Sequence, residues 1–520
     1  MKAVVAIQVL WSVVAACGAI VYTPPQHCDW TERDGALGEV SLSCHLGALL
    51  SDLDSGNFSS SQADPVTELR VVCSDPLLTQ PSLPSQAFRR LHNLDTLTIE
   101  YCNLKELQPG TFQGLEGMRR MTVRSYISEG PFMTLKPNSL EGMPRLQRLD
   151  LGHSYIKSLP GQVLCPVPAL RHLNLTGNLL QDASEVDVSG NCGTNLVTLD
   201  MSRNDLVVIP RAGLAGLESL EALYLQHNKL SRWLTQGALL GLSSLNLLNL
   251  SSNGLDRLSP DLFRETLNLT ELYIQNNSLS RLWPHDLLSR LSHLTTLDLS
   301  NNLLTSEGVT SGIFHGLLQL TMLNLSHNRL TQVSVDMFRD LAALQVLNLS
   351  HNNLTVVTDK TLSLLTNLHR LDLSHNALHV VSCRSFAGLH ALSSLALAYN
   401  NIYWVASDAF ENCTGLRDLS LEHNLLQDVP KAVHEATALR TLRLNHNKLT
   451  NISQDDLSPL DALRHLDLSG NLLTSVCKAC LTALLPWRCS TCRETSWNRY
   501  LKVPLTETRS YRNCELTATK

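Results

Sequence analysis

Three residue patterns carry whatever chemistry this 520-residue chain performs: fourteen cysteines, ten Asn-x-Ser/Thr sequons and a recurring Ser-His-Asn tripeptide. Near the end, Cys477-x-x-Cys480 and Cys489-x-x-Cys492 are followed by Cys514. Four thiolates at this spacing suit tetrahedral zinc. In an oxidising compartment the same pairs make a disulfide cap, and that is the expectation here, with no cofactor. Histidine stands immediately before a repeated asparagine at His227, His327, His351, His375, His423 and His446. On neighbouring strands, those at 327, 351 and 375 would stack roughly 5 Å apart. Such a column could bind a metal or sense acidity; the plainer reading, a tolerated repeat sequence, is the expectation. Serine beside histidine, as in Ser326-His327, belongs to the repeat and makes no nucleophile with its base. No phosphate-cradling glycine loop, zinc-protease helix or Gly-x-Ser-x-Gly elbow is present, so the chain reads as a binding protein and not an enzyme.

The compartment follows from the first residues. Lys2 precedes an apolar run from Ala3 to Val14, and small residues follow at Ala15, Ala16, Gly18 and Ala19. This is the form of a signal peptide, residues 1–20, and it places the chain in the secretory pathway. No later stretch approaches the roughly 20 apolar residues of a membrane-spanning helix. Cys28 and Cys44 then staple an amino-terminal cap, residues 21–66. Cys73 and Cys102 lie at similar places in adjacent turns, within disulfide reach. Cys165 and Cys192 bracket an irregular insertion, Gln181 to Asn195. Cys383 and Cys413 are expected to be buried free thiols.

What positions these residues is an internal repeat. Leu320-x-x-Leu323-x-Leu325-x-x-Asn328-x-Leu330 recurs with its asparagine at 178, 204, 228, 253, 277, 302, 352, 376, 400, 424, 447 and 471, spaced by 23 to 26 residues. That period predicts a leucine-rich-repeat solenoid, an α/β horseshoe with a parallel sheet on its concave side and a disulfide-capped amino terminus. Leucines two apart on a short strand face inward and the spacer between them faces solvent. The asparagine sits where the chain turns, and its amide can satisfy backbone groups otherwise buried unpaired. Phe263, Phe314, Phe338, Phe386 and Phe410 fill the convex half of the core. Earlier copies are looser, with Cys102, Tyr126 and Ser154 at the turn position, as terminal repeats should be. About 15 to 16 repeats span residues 67–475, and a cysteine-containing tail occupies 476–520.

The sequons are Asn57, Asn174, Asn249, Asn268, Asn276, Asn324, Asn348, Asn353, Asn412 and Asn451. Of these, Asn174, Asn249, Asn324 and Asn348 are spacers between ladder leucines and face the concave surface. Glycans there would move partners to the amino-terminal repeats, a lateral edge or the last repeats. The formal charge of −6 is mild and gives no basic stripe, so nucleic acid and acidic partners are not expected.

His27-Cys28-Asp29-Trp30, Val40-Ser-Leu-Ser-Cys44-His-Leu, Thr67-Glu-Leu-Arg-Val-Val-Cys73, Leu97-Thr-Ile-Glu-Tyr-Cys102 and Leu159-Pro-Gly-Gln-Val-Leu-Cys165-Pro narrow the family. From about residue 26 to 475 the chain resembles insect-type Toll receptors, specifically the long-ectodomain branch that includes Tollo and 18-wheeler. The resemblance implies recognition of a protein ligand or another surface receptor in innate immunity or development, and admits a homo- or heterodimer. Full-length relatives would lie in the plasma membrane. Leucine periodicity stops at Leu473, and residues 477 to 520 match neither further repeats nor the usual Asn-Pro-x-x-Cys-x-Cys cap. The expectation is therefore a secreted or truncated form without a signalling domain. The alternative is a secreted adhesion or matrix protein.

Overall fold

The computed structural model describes residues 28–32, 40–46, 65–73 and 80–476, the last apart from 84, 103, 126–131, 187–191, 193–194, 231–233, 235–236, 311, 387, 412, 454 and 458–459. The signal peptide, Asn57, Asn412 and the tail cysteines from Cys477 onward lie outside the described residues. The chain divides into two compact units within the insertion after Leu180. Of the described residues, the first holds those up to 180 and 185–196; the second holds 181–184 and those from 197 onward.

In the first unit, Cys28–Glu32 pairs antiparallel with Val40–Leu46, in a register that sets Cys28 opposite Cys44. A parallel ladder continues from Val40–Leu46 through Val66–Cys73, Thr96–Glu100, Arg120–Arg124, Arg148–Asp150 and His172–Asn174. Disulfides join Cys28 to Cys44, Cys73 to Cys102 and Cys165 to Cys192. The first two tie neighbouring turns at the end where the core would otherwise open to water.

In the second unit the ladder runs in parallel register from Thr198–Asp200 to His465–Asp467, leucine beside leucine at every step. Its strands are three residues long, and in Ala222–Tyr224, Leu247–Asn249 and Glu271–Tyr273 the central leucine is buried while its neighbours stay half-open. The opposite side is built of turns, with short 3-10 helices at Val335–Phe338 and Lys431–Glu435. Phe314, Phe338, Phe386 and Phe410 are fully buried there, and the last two stack 5.9 Å apart.

The asparagines hold the turns by direct bonds between repeats. Asn228 Nδ2 donates to the carbonyls of Leu225 and Met201, both at 2.9 Å, while its Oδ1 accepts the Leu206 N–H at 3.0 Å. The same set recurs at Asn302, Asn376 and Asn471. One amide thus satisfies groups from two successive repeats that water cannot reach. At the amino end, hydroxyls replace it. Ser154 Oγ donates to the Val123 carbonyl at 2.8 Å and accepts the Ser125 N–H at 3.3 Å. The repeat pattern assigns the preceding turn to Tyr126, but buried Ser125 fills it, accepting the Leu104 N–H and donating to the Cys102 carbonyl.

Candidate recognition surface

Strand spacers form the open face of each sheet. In the second unit one row of them reads Asp200, Tyr224, Asn249, Tyr273, Asp298, Asn324, Asn348 and Asp372, in register. Their side chains are half-buried and make local turns: Asn249 Oδ1 accepts the Ser251 N–H and hydroxyl, and Asp298 and Asn348 likewise accept from Ser300 and Ser350. Asn324 Nδ2 donates to Asp298 at 3.2 Å. In the first unit, Asn174 occupies the corresponding place and donates to Asp150 at 3.0 Å. Among the other described sequons, Asn268, Asn276, Asn353 and Asn451 are exposed. Asn268 Nδ2 donates to the Ser243 carbonyl.

Burial pushes both tyrosine hydroxyls up. For Tyr224 the neighbouring carboxylates Asp200 and Glu271 add to it. For Tyr273, whose hydroxyl donates to Glu271 at 2.8 Å, the value reaches about 12. Both phenols are therefore neutral throughout the physiological range.

The first unit's open face is charged. Glu100, buried, pairs with Arg70 at 2.7 Å and Arg124 at 3.4 Å, and Arg124 reaches Asp150 at 3.2 Å. Asp95 holds Arg119 and Arg120. Arg120, Arg148 and His172 stand side by side in register. Burial, then the charges of Arg148 and Arg171, push the His172 imidazole below its ordinary value. The face thus interleaves both signs, since Arg70, Arg119, Arg120 and Arg124 are each paired with a carboxylate. Arginines from successive repeats converge only when the strands stack.

The histidines lie in a column along the turns. Ring centroids are 3.9 Å apart for His327–His351, 4.0 Å for His351–His375 and 4.3 Å for His423–His446. Tyr399, which the histidine pattern alone does not pick out, bridges His375 and His423 at 4.3 and 4.1 Å. Its signal was positional: it precedes Asn400 as each histidine precedes its own asparagine. All these residues have φ between 53° and 54°, the left-handed turn that aims every ring the same way. His227 belongs to the same backbone series but has no ring beside it in the column. Among the described residues, no group of three His, Cys, Asp or Glu side chains is placed to hold a metal ion.

The thiols depart in part from expectation. Cys413 is buried, and burial pushes it up to about 11. Cys383 is exposed instead, hydrogen-bonded to Asp408, because Phe386 fills the core in that turn.

The model of the family described as leucine rich repeat matches residues 126–180, 292–354, 344–402, 391–447 and 414–473. The chain is 39% identical to Toll-like receptor 7 of Drosophila melanogaster over 322 residues, covering 60% of this chain and 22% of that protein. It is 30% identical to human Podocan-like protein 1 over 190 residues, 36% of this chain and 35% of the relative. The chain thus spans well under half the length of either. Among solved structures, the glycosylated Toll–Spatzle complex of Drosophila matches with a TM-score of 0.71 at 21% identity, covering 88% of this chain and 68% of that one. That likeness concerns the fold. The described residues include no helix long and apolar enough to cross a membrane. By its fold this chain is a leucine-rich-repeat solenoid, and in sequence it is similar to a Toll-type receptor over 60% of its length.

Proposed function

We propose that this chain is the extracellular recognition portion of a Toll-type receptor of the long-ectodomain branch, binding a protein ligand or a second surface receptor. The observation that carries the reading is the 39% identity to Toll-like receptor 7 of Drosophila. In this reading residues 1–20 lead the chain into the secretory pathway, 21–66 cap the solenoid, 67–475 recognise the partner and 476–520 form a tail. The role is binding without catalysis, in immunity or in development.

The contact surface is the open face of the first unit. Of the four sequons on open strand faces, three (Asn249, Asn324 and Asn348) belong to the second unit, where glycans obstruct approach. The first unit instead offers Arg120, Arg148, Arg171 and His172 beside interleaved carboxylates. A mixed pattern of this kind suits a protein surface, since Asp95, Glu100 and Asp150 would repel a uniform polyanion. The test is a binding screen of the secreted chain against purified extracellular proteins, Spatzle among them, repeated with Arg120→Glu/Arg148→Glu. Saturable binding lost in the variant supports the reading; saturable binding untouched by it moves the contact elsewhere.

A second reading, a secreted adhesive or matrix protein, draws on the similarity to Podocan-like protein 1. It is favoured instead if the secreted chain deposits on cell-free matrix and binds no soluble partner.

A further inference from the structure

Asn249 differs from the other sequons on the open face in what stands beside it. Register sets Tyr224 on one side and Tyr273 on the other. Asn174, by contrast, has Asp150 beside it, and Asn324 and Asn348 are flanked by Asp298, Asp372 and each other. We propose that Asn249 carries an N-linked glycan whose first N-acetylglucosamine is clamped between the side chains of Tyr224 and Tyr273.

Spacing supports the clamp. Two strand intervals separate the tyrosine backbones by about 9.6 Å. A sugar ring in contact with an aromatic side chain on each face takes up roughly 7 to 8 Å in two carbon–carbon contacts. The interval therefore leaves room for one sugar ring between the two side chains. Aromatic side chains supply a large apolar contact to the axial hydrogens of the sugar at small entropic cost. Tyr273 is held along its own strand by the bond to Glu271, so one wall is already fixed.

The attachment chemistry is compatible with the folded geometry. In the secretory pathway Asn249 Nδ2 attacks the anomeric carbon of a polyprenyl-diphosphate-linked oligosaccharide. The N–C bond forms as the C–O bond to diphosphate breaks. The diphosphate leaves with the electron pair, and the proton lost from nitrogen passes to the transferring enzyme's base. Oδ1 is untouched, so its bonds from the Ser251 N–H at 3.0 Å and hydroxyl at 2.7 Å survive modification. The clamped sugar then becomes a fixed part of the second unit's face.

This inference rests on the secretory part of the proposed function, and the experiment separates the two. The full chain is secreted from insect cells with its own leader and, separately, with a foreign one. Glycopeptides are mapped by mass spectrometry, and release by peptide N-glycosidase is timed without denaturant. Asn249 is expected to be occupied and released about tenfold more slowly than exposed Asn353, the rate ratio of about 1.4 kcal/mol. Tyr224→Thr/Tyr273→Thr should bring the two rates together, whereas Tyr224→Phe, which keeps the ring, should leave Asn249 protected. If the threonine pair is not secreted, each single threonine variant serves. An empty Asn249 beside an occupied Asn353, or equal release rates in the unaltered chain, overturns the clamp and leaves the secretory reading standing. Occupancy only behind the foreign leader overturns the secretory reading and leaves the clamp standing.

Discussion

His327 and His351 stack with ring centroids 3.9 Å apart and planes 10° from parallel. His375 continues the stack on the far side of His351 at 4.0 Å. Burial, then the charges of His327 and His375, lower the affinity of His351 for a proton; Asp372 opposes this in part. His423, likewise lowered by burial and by His446, has Glu422 opposing. Because these imidazoles bind protons less readily folded than unfolded, their contribution to stability is present above the ordinary value of 6.5 and is lost as pH falls below it. The melting temperature should therefore fall between pH 7 and pH 5, and His351→Gln should flatten that slope. A slope unchanged by the substitution would dissociate the column from acid sensitivity.

Removing one ladder amide should be costly. Asn302 Nδ2 serves the carbonyls of Ile274, Leu299 and Ser300, and its Oδ1 accepts the Leu279 N–H. Asn302→Ala leaves these buried groups unpaired and should destabilise the second unit by about 2 to 4 kcal/mol. Asn302→Asp should cost at least as much, since a carboxylate repels the carbonyls. Urea unfolding monitored by hydrogen exchange in the flanking repeats measures both.

The disulfide between Cys73 and Cys102 closes a 29-residue separation. Replacing both cysteines by serine should lower the stability of the first unit by roughly 3 to 4 kcal/mol. Limited proteolysis should then cut first within residues 74–101, with the second unit protected as before.

Among the described residues, the two free thiols should respond oppositely to a maleimide at pH 8. Cys383 is exposed and should label within the native protein, while Cys413, buried and raised to about 11, should label only on unfolding. Peptide mapping distinguishes them. Native labelling of Cys413 would mean that its turn opens readily.

Most of the fold was legible because each repeat states its own structure. Inward leucines, the turn asparagine and the core phenylalanine are local requirements, repeated until chance is excluded. What was not legible depended on lateral neighbours. Arg70, Glu100, Arg124 and Asp150 are 24 to 30 residues apart along the chain yet form one ion-paired line. Ser125 makes the turn's bonds to Cys102 and Leu104, one position before the residue the repeat pattern picks out. Cys383 turned outward once Phe386 had taken the core. The site asparagines were visible as sequons, but only register sets Asn249 between two tyrosines.

The central claim is recognition of a protein through the first unit's open face. It is tested most directly by measuring equilibrium binding of the secreted chain to the partner its screen returns, beside the Arg120→Glu/Arg148→Glu variant. The account predicts saturable binding that the variant, still folded, weakens at least about tenfold, or 1.4 kcal/mol. Equal affinity for both proteins would contradict it.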